Sequence, residues 1–196
     1  DPQFQRAIGE RLKSVQGSLA NIHEKDPYED AQMIVFISTS MPEGALRELF
    51  RQASLLDNPT SVHFVVRGFE PQKFGQLIYR LRRLTPDPEK DLVVMEVDPT
   101  LFQRYKVEAV PTYLVKNEGE GAWYEVRGAI SLEGAKENVK RKGPLVVGQL
   151  WPINEPDLLE VMRAQWNKID WQAELAKAQK RALVQMSQSA TLPVSE

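Results

Sequence analysis

Val97-Asp98-Pro99-Thr100 and, six residues on, Lys106-Val107-Glu108-Ala109-Val110-Pro111-Thr112-Tyr113-Leu114-Val115 decide how the chain is read. The stretch predicts a strand, a short helix, a loop, a proline and a second strand. Val107, Val110, Leu114 and Val115 are β-formers. Pro111 stands at the mouth of the second strand. Proline has no N–H to give to a ladder, so it belongs at a strand's first residue or at an edge. A cis bond before proline costs only about 0.5–1 kcal/mol, so a packed fold can hold one there.

Composition narrows the classes around that stretch. The chain has 196 residues, enough for one core with appendages. Apolar residues make up 42% and charged residues 27%, an ordinary globular balance. A formal net charge of −2 gives no basic footprint for nucleic acid. No apolar run approaches the roughly 20 residues that span a bilayer. Cysteine is absent, which excludes a disulfide scaffold, a thiolate nucleophile and cysteine-based metal sites. His23 and His63 are far apart, so no histidine metal site and no cofactor is expected. The sequence begins with Asp1 rather than Met, as expected of a processed or trimmed form, and whether a signal peptide preceded it is left open.

Working outward, Met33-Ile34-Val35-Phe36-Ile37-Ser38 is a near-continuous apolar run, the pattern of a buried central strand. It leads through Thr39-Ser40-Met41-Pro42-Glu43-Gly44 into a helix with Leu46, Leu49, Phe50 and Ala53 on one face. Ser61 to Val66 reads as the next strand, which makes His63 a structural histidine rather than a catalytic one. A helix follows with Phe74, Leu77, Ile78, Leu81 and Leu84 on one stripe, leaving Arg80, Arg82 and Arg83 as a solvated face. Leu92 to Val97 is a third strand. The turn at Asn117 to Gly121 joins two strands as a hairpin. Gly128-Ala129-Ile130-Ser131 opens a last helix with Ser131 as its N-cap.

Both ends differ from this middle. Phe4, Ile8, Leu12, Val15, Leu19 and Ile22 predict an N-terminal helix, packed on the domain or reaching to a partner. After Gly143, the segment Leu145 to Ile153 reads as extended and apolar. Asn154 is expected to cap a helix that carries Leu158, Met162, Trp166 and Ile169, then Trp171, Leu175, Ala178, Ala182 and Met186. Three of the four tryptophans fall in this final quarter, and tryptophan is enriched at binding hot spots. Trp151, Pro152, Trp166 and Trp171 are therefore candidate partner-binding residues, with docking onto the chain's own domain as the alternative. From Ser187 the composition reads as a frayed terminus.

The Val110-Pro111-Thr112 words, the hairpin and the closing helix resemble the thioredoxin superfamily. The resemblance implies a cis-proline loop at Val110, Pro111 and Thr112 beside a dithiol turn. On that frame Ser40-Met41-Pro42-Glu43 occupies the Cys-x-x-Cys position, with Ser40 and Glu43 where the sulfurs would be. A disulfide needs two sulfurs, and a serine alkoxide is far too basic to stand in for a thiolate. As a nucleophile Ser40 needs a neighbouring base, and neither histidine has a sequence reason to be near. The plain expectation is that Ser40 caps the helix. The fold class is α/β, thioredoxin-like without the dithiol, with an N-terminal helix, a helical C-terminal extension and an additional strand–helix unit.

A narrower resemblance rests on Phe36-Ile37-Ser38-Thr39-Ser40-Met41-Pro42-Glu43, Val65-Val66-Arg67-Gly68-Phe69, Val97 to Tyr105 and Val110-Pro111-Thr112. Together these resemble TrbC, the pilus-assembly family of F-type conjugative type IV secretion systems. Val147-Gly148-Gln149-Leu150-Trp151-Pro152-Ile153-Asn154-Glu155-Pro156-Asp157-Leu158-Leu159 resembles the opening motif of TraW, another family of those systems. The chain thus looks like a TrbC–TraW fusion. Its expected divisions are an N-terminal helical segment at 1–30, a TrbC-like domain at 31–142 and a TraW-like segment at 143–196. The resemblance implies a periplasmic, non-enzymatic assembly protein whose partners are other transfer and pilus-assembly proteins, TraW- or TrbC-like. The groove between the Ser40–Glu43 turn and the Val110–Thr112 loop is expected to be exposed. Two other readings are a peptide-binding holdase without redox chemistry and a thiol-disulfide isomerase whose cysteines were engineered away.

Overall fold

The computed structural model describes residues 26–85, 87, 92–117 and 119–189, so the helix expected over residues 1–24 lies outside the described residues. In chain order the elements begin with β1 (Met33–Phe36), α1 (Glu43–Ser54), β2 (Val62–Val66), α2 (Phe74–Leu84), β3 (Val94–Val97) and α3 (Pro99–Arg104). They continue with β4 (Ala109–Val110), β5 (Thr112–Lys116), β6 (Trp123–Arg127), α4 (Leu132–Lys140), β7 (Trp151–Pro152), α5 (Leu158–Trp166) and α6 (Trp171–Ser189). Five strands form one sheet in the order β3-β2-β1-β5-β6, and β4 pairs separately with β7. The first three of those neighbours run parallel and the β1-β5-β6 side is antiparallel. This mixed α/β sheet is compatible with a thioredoxin-like arrangement.

β1 is the centre of the sheet, and all four of its residues are buried. Its unbroken apolar run follows from having helices on both faces, which leaves no solvent side for alternation. Phe50 of α1 meets Phe64 of β2 edge-on, with ring centroids 4.8 Å apart. Phe36 meets Phe102 of α3 in the same way at 4.8 Å. Such pairs add to the area term through their opposed quadrupoles. Leu46, Leu49, Phe50 and Ala53 are the buried face of α1, as their spacing predicts.

α2 buries only part of its predicted stripe. Leu77, Leu81 and Leu84 are buried, whereas Phe74 and Ile78 stay about half exposed. Phe74 begins the helix and stacks on Phe69 of the preceding loop instead, at 4.5 Å. Arg80 reaches Glu43 at 3.4 Å across the surface. His63 stands in β2 with Nδ1 3.3 Å from Glu96 Oε1 and its ring edge-on to Tyr28, a structural role. α6 keeps helical backbone to Ser189, two residues past the expected fraying point.

Two caps fix where helices start. Ser131 accepts from Gly134 N–H at 2.9 Å to open α4, as predicted. Asp98 opens α3: its Oδ1 accepts from Leu101 N–H at 2.9 Å and from the Thr100 hydroxyl at 2.6 Å. The Tyr28 hydroxyl donates to its other oxygen at 3.1 Å. Burial disfavours the charged form of Asp98, but these donors together outweigh it and hold the carboxyl below its usual range. A depressed carboxyl stabilises the fold fully above its unfolded pKa, and that contribution is lost as pH falls through the folded value. Asp98→Asn should therefore flatten the acid limb of the stability–pH curve below about pH 4. Asp98→Ala should cost about 0.5–2 kcal/mol at neutral pH, read by urea unfolding.

Candidate functional site

Phe36 is paired with Thr112 across β1 and β5. That register sets the turn after β1, residues 38–40, directly beside the loop before β5. The Val110–Pro111 peptide bond is cis, and both residues are buried. Thr112 Oγ1 donates back to Ala109 O at 2.8 Å and holds the loop. Of the Ser40–Glu43 turn and the Val110–Thr112 loop, Met41 and Pro111 line one cleft. Met41 is buried under the turn, while Glu43 is exposed at the start of α1.

Ser40 does not cap α1. The helix begins after Pro42, which makes no side-chain cap. The Ser40 hydroxyl instead donates to Pro152 O, with Ser38 Oγ 3.1 Å away. The reason is that the expected groove is not open: the chain's own tail lies across it. Leu145 O accepts from Arg127 N–H at 2.7 Å, and Val147 N–H donates to Arg127 O at 2.7 Å. Gln149 O then accepts from Ala129 N–H at 2.8 Å. Farther along, β7 runs antiparallel to β4, with Trp151 opposite Val110 and Pro152 opposite Ala109.

Beyond β7 the tail enters the turn itself. Asn154 N–H donates to Ser38 Oγ at 3.0 Å, and Thr39 N–H donates to Glu155 Oε1 at 2.7 Å. The Arg67 guanidinium holds the Glu155 carbonyl through Nε at 3.0 Å and through Nη2. Glu155 is only 5% exposed, and its Oε2 has no hydrogen-bond partner among the described residues. Asn154 is thus not the cap that the sequence suggests. Proline at 156 disfavours helical backbone at Glu155, and α5 starts only after Asp157, whose side chain accepts from Leu159 N–H at 2.9 Å.

The candidate partner-binding residues fall into two sets. Trp151 and Pro152 are held in cis at the groove. Trp151 is half buried and walls an open cleft of ≈ 210 Å³ that Met41, Leu49, Pro111, Tyr113 and Ile130 also line. Tyr113 donates to Ile130 O at 2.7 Å, and burial pushes its phenol well above the usual range. Trp166, at the end of α5, is 62% exposed. Trp171 opens α6. Ser38, Thr39, Arg67 and Glu155 are the site residues that sequence reasoning missed. The prolines at 152 and 156 were the available signal, because they forbid a helix between them.

A family model, the type-F conjugative transfer system pilin assembly protein, matches residues 35–141, more than half of the chain. The chain belongs to the TrbC family. It therefore has a role in F-type conjugative pilin assembly, with other components of that transfer system as partners. Neither the comparison with curated proteins nor that with solved structures gives a match. Among the described residues, no helix is long and apolar enough to cross a membrane. The TrbC segment supplies every group that receives the tail, and the tail begins just after it.

Two glycines of the TrbC segment make room for the tail. Gly128 has φ +108°, and a Cβ there would stand 2.8 Å from Val147 C. At Gly68 a Cβ would stand 2.7 Å from Leu158 N and 3.0 Å from Leu158 Cβ, without any unusual φ. Gly68→Ala should thus lift residues 154–158 without straining its own backbone. Losing the bond to the Glu155 carboxylate, worth about 1.5–3 kcal/mol, should speed exchange of the Thr39 amide by roughly ten- to a hundredfold. Amides of β1 and β2 should be unchanged, as NMR-detected hydrogen exchange would show.

Proposed function

We propose that this TrbC-family chain is a non-catalytic, periplasmic assembly protein that works through protein–protein contacts. One observation carries the reading: the hydroxyl of Ser40, which the thioredoxin resemblance sets in a sulfur's position, is bonded to the tail. A hydroxyl that donates to a main-chain carbonyl of the tail is suited to holding a chain rather than to attacking a bond. We also propose the division suggested by the sequence, with a TrbC-like domain at 31–142 and a TraW-like segment at 143–196. In this reading Trp151 and Pro152 of the TraW-like segment join it to the domain. The α5–α6 part carries Trp166 and Trp171, with exposed Met162 and Leu175, toward other transfer proteins.

Complementation of donor cells lacking their own copy tests this. Ser40→Ala removes one neutral hydrogen bond, worth about 0.5–1.5 kcal/mol. It should leave pilus assembly and DNA transfer at the wild-type level. Truncation after Ile169 should abolish capture of transfer-system proteins from the periplasm and lower transfer. Loss of transfer in Ser40→Ala with the protein folded would contradict a non-catalytic turn. Capture of many unrelated unfolded proteins would favour a holdase instead.

A further inference from the structure

α6 is long, and its middle is uncovered. Every residue from Gln172 to Ala182 is exposed, Leu175 to 61%. Its start is well fixed, because Asp170 Oδ1 accepts from Gln172 N–H and from Ala173 N–H, both at 3.1 Å. Most helical stability in proteins comes from packing an amphipathic face. The stretch from Gln172 to Ala182 finds no such packing among the described residues.

The sequence of α6 states what fits there. Trp171, Leu175, Ala178 and Ala182 recur at spacings of four, three and four, the seam of a two-stranded coiled coil. One antiparallel register lays this seam against itself with a match in every layer. Leu175 of each copy falls opposite Ala178 of the other, and Trp171 falls opposite Ala182. Each large residue is then set against an alanine, so the two helix axes can approach closely without overfilling a layer.

The flanks match in the same register. Glu174 and Arg181 lie on one side of the seam, two turns apart, and antiparallel pairing sets each Glu174 beside Arg181 of the other copy. On the opposite side Gln172 falls beside Gln179. Lys177 and Lys180 take outer positions. Glu174 Oε1 already accepts from Lys177 Nζ at 2.8 Å, and a carboxylate has lone pairs for a second cation. A parallel pairing has none of this: it stacks Trp171 on Trp171 and sets Glu174 beside Gln179.

We propose that α6 is a self-association site, through which two copies of this chain pair antiparallel about a two-fold axis. Leu175, Ala178 and Ala182 form the seam, and reciprocal Glu174–Arg181 ion pairs fix its register and direction. The seam from Trp171 to Ala182 is only about 18 Å long. That is short for a permanent interface, so the dimer forms reversibly as concentration rises. The inference goes beyond contact with other transfer proteins and leaves α5, with Met162 and Trp166, to them.

Sedimentation velocity of the full chain over a concentration series tests this. Wild type should move from monomer to dimer, and a chain truncated after Ile169 should stay monomeric. Glu174→Arg brings arginines together on the flanks and Arg181→Glu brings glutamates together, so each should weaken the dimer by about tenfold or more. An equimolar mixture of these two variants should associate again, because the arginines of one then face the glutamates of the other. The double variant Glu174→Arg, Arg181→Glu should associate as wild type does.

A wild-type chain that stays monomeric throughout would overturn the proposal. So would single variants that associate as well as wild type, or a mixture and a double variant that both remain monomeric. Should a single variant fail to fold, the double variant decides, since it keeps both charges and only exchanges their places. Capture of transfer-system proteins by a strictly monomeric chain removes the self-pairing alone, whereas a dimer that captures nothing removes the assembly reading alone.

Discussion

The pairing of Phe36 with Thr112 is the constraint on which the rest of the structure depends. It is a register in the antiparallel half of the sheet, and shifting it by one residue would turn every side chain of β5 to the opposite face. Held as it is, it brings the end of β1 against the loop that enters β5. The turn of Ser38, Thr39 and Ser40 and the loop of Ala109, Val110 and Pro111 then form one surface. That surface exposes amide, hydroxyl and carbonyl groups, which is the chemistry needed to hold an extended chain. With no cysteine in the chain, the surface has no thiol for disulfide exchange.

The tail completes what the sheet leaves open. Two exchanged bonds join Arg127 to Leu145 and Val147, so the edge of β6 is partly covered where an uncovered edge would invite pairing with another molecule. The β4–β7 pair and the Glu155 carboxylate then close the polar end of the groove. Each of these bonds is modest by itself. Their common feature is that they satisfy main-chain groups of the TrbC segment, whose loss would leave buried donors such as Thr39 N–H without a partner.

Much of the architecture was legible in the sequence because burial leaves a period. Leu46, Leu49, Phe50 and Ala53 announce one face of a helix, the run from Met33 to Ile37 announces a strand buried on both sides, and Pro111 announces the loop before β5. The tail left no such mark. Leu145 to Pro156 has neither helical nor alternating spacing, because its partners are main-chain groups along a loop and a strand edge, and these do not select side chains at fixed intervals. Asn154 and Ser40 have the composition of caps, and each is used instead where tail and turn meet. A cap preference is local, whereas the bonds that override it span more than a hundred residues of sequence. Glu155 looked like an ordinary first-turn acid for the same reason. The half-exposed Phe74 and Ile78 show the opposite limit: a regular stripe states which face is apolar, not how much of it another element covers.

The most direct measurement of the central claim is hydrogen exchange of the Thr39 amide in the full chain at neutral pH. Thr39 lies in a turn outside the sheet, and among the described residues its amide donates to a carboxylate 116 residues away. If residues 145–157 cover the groove in cis, this amide exchanges slowly, and Glu155→Ala frees it while β1 stays protected. An amide that exchanges at the rate of an open turn, equally in both proteins, would contradict the account.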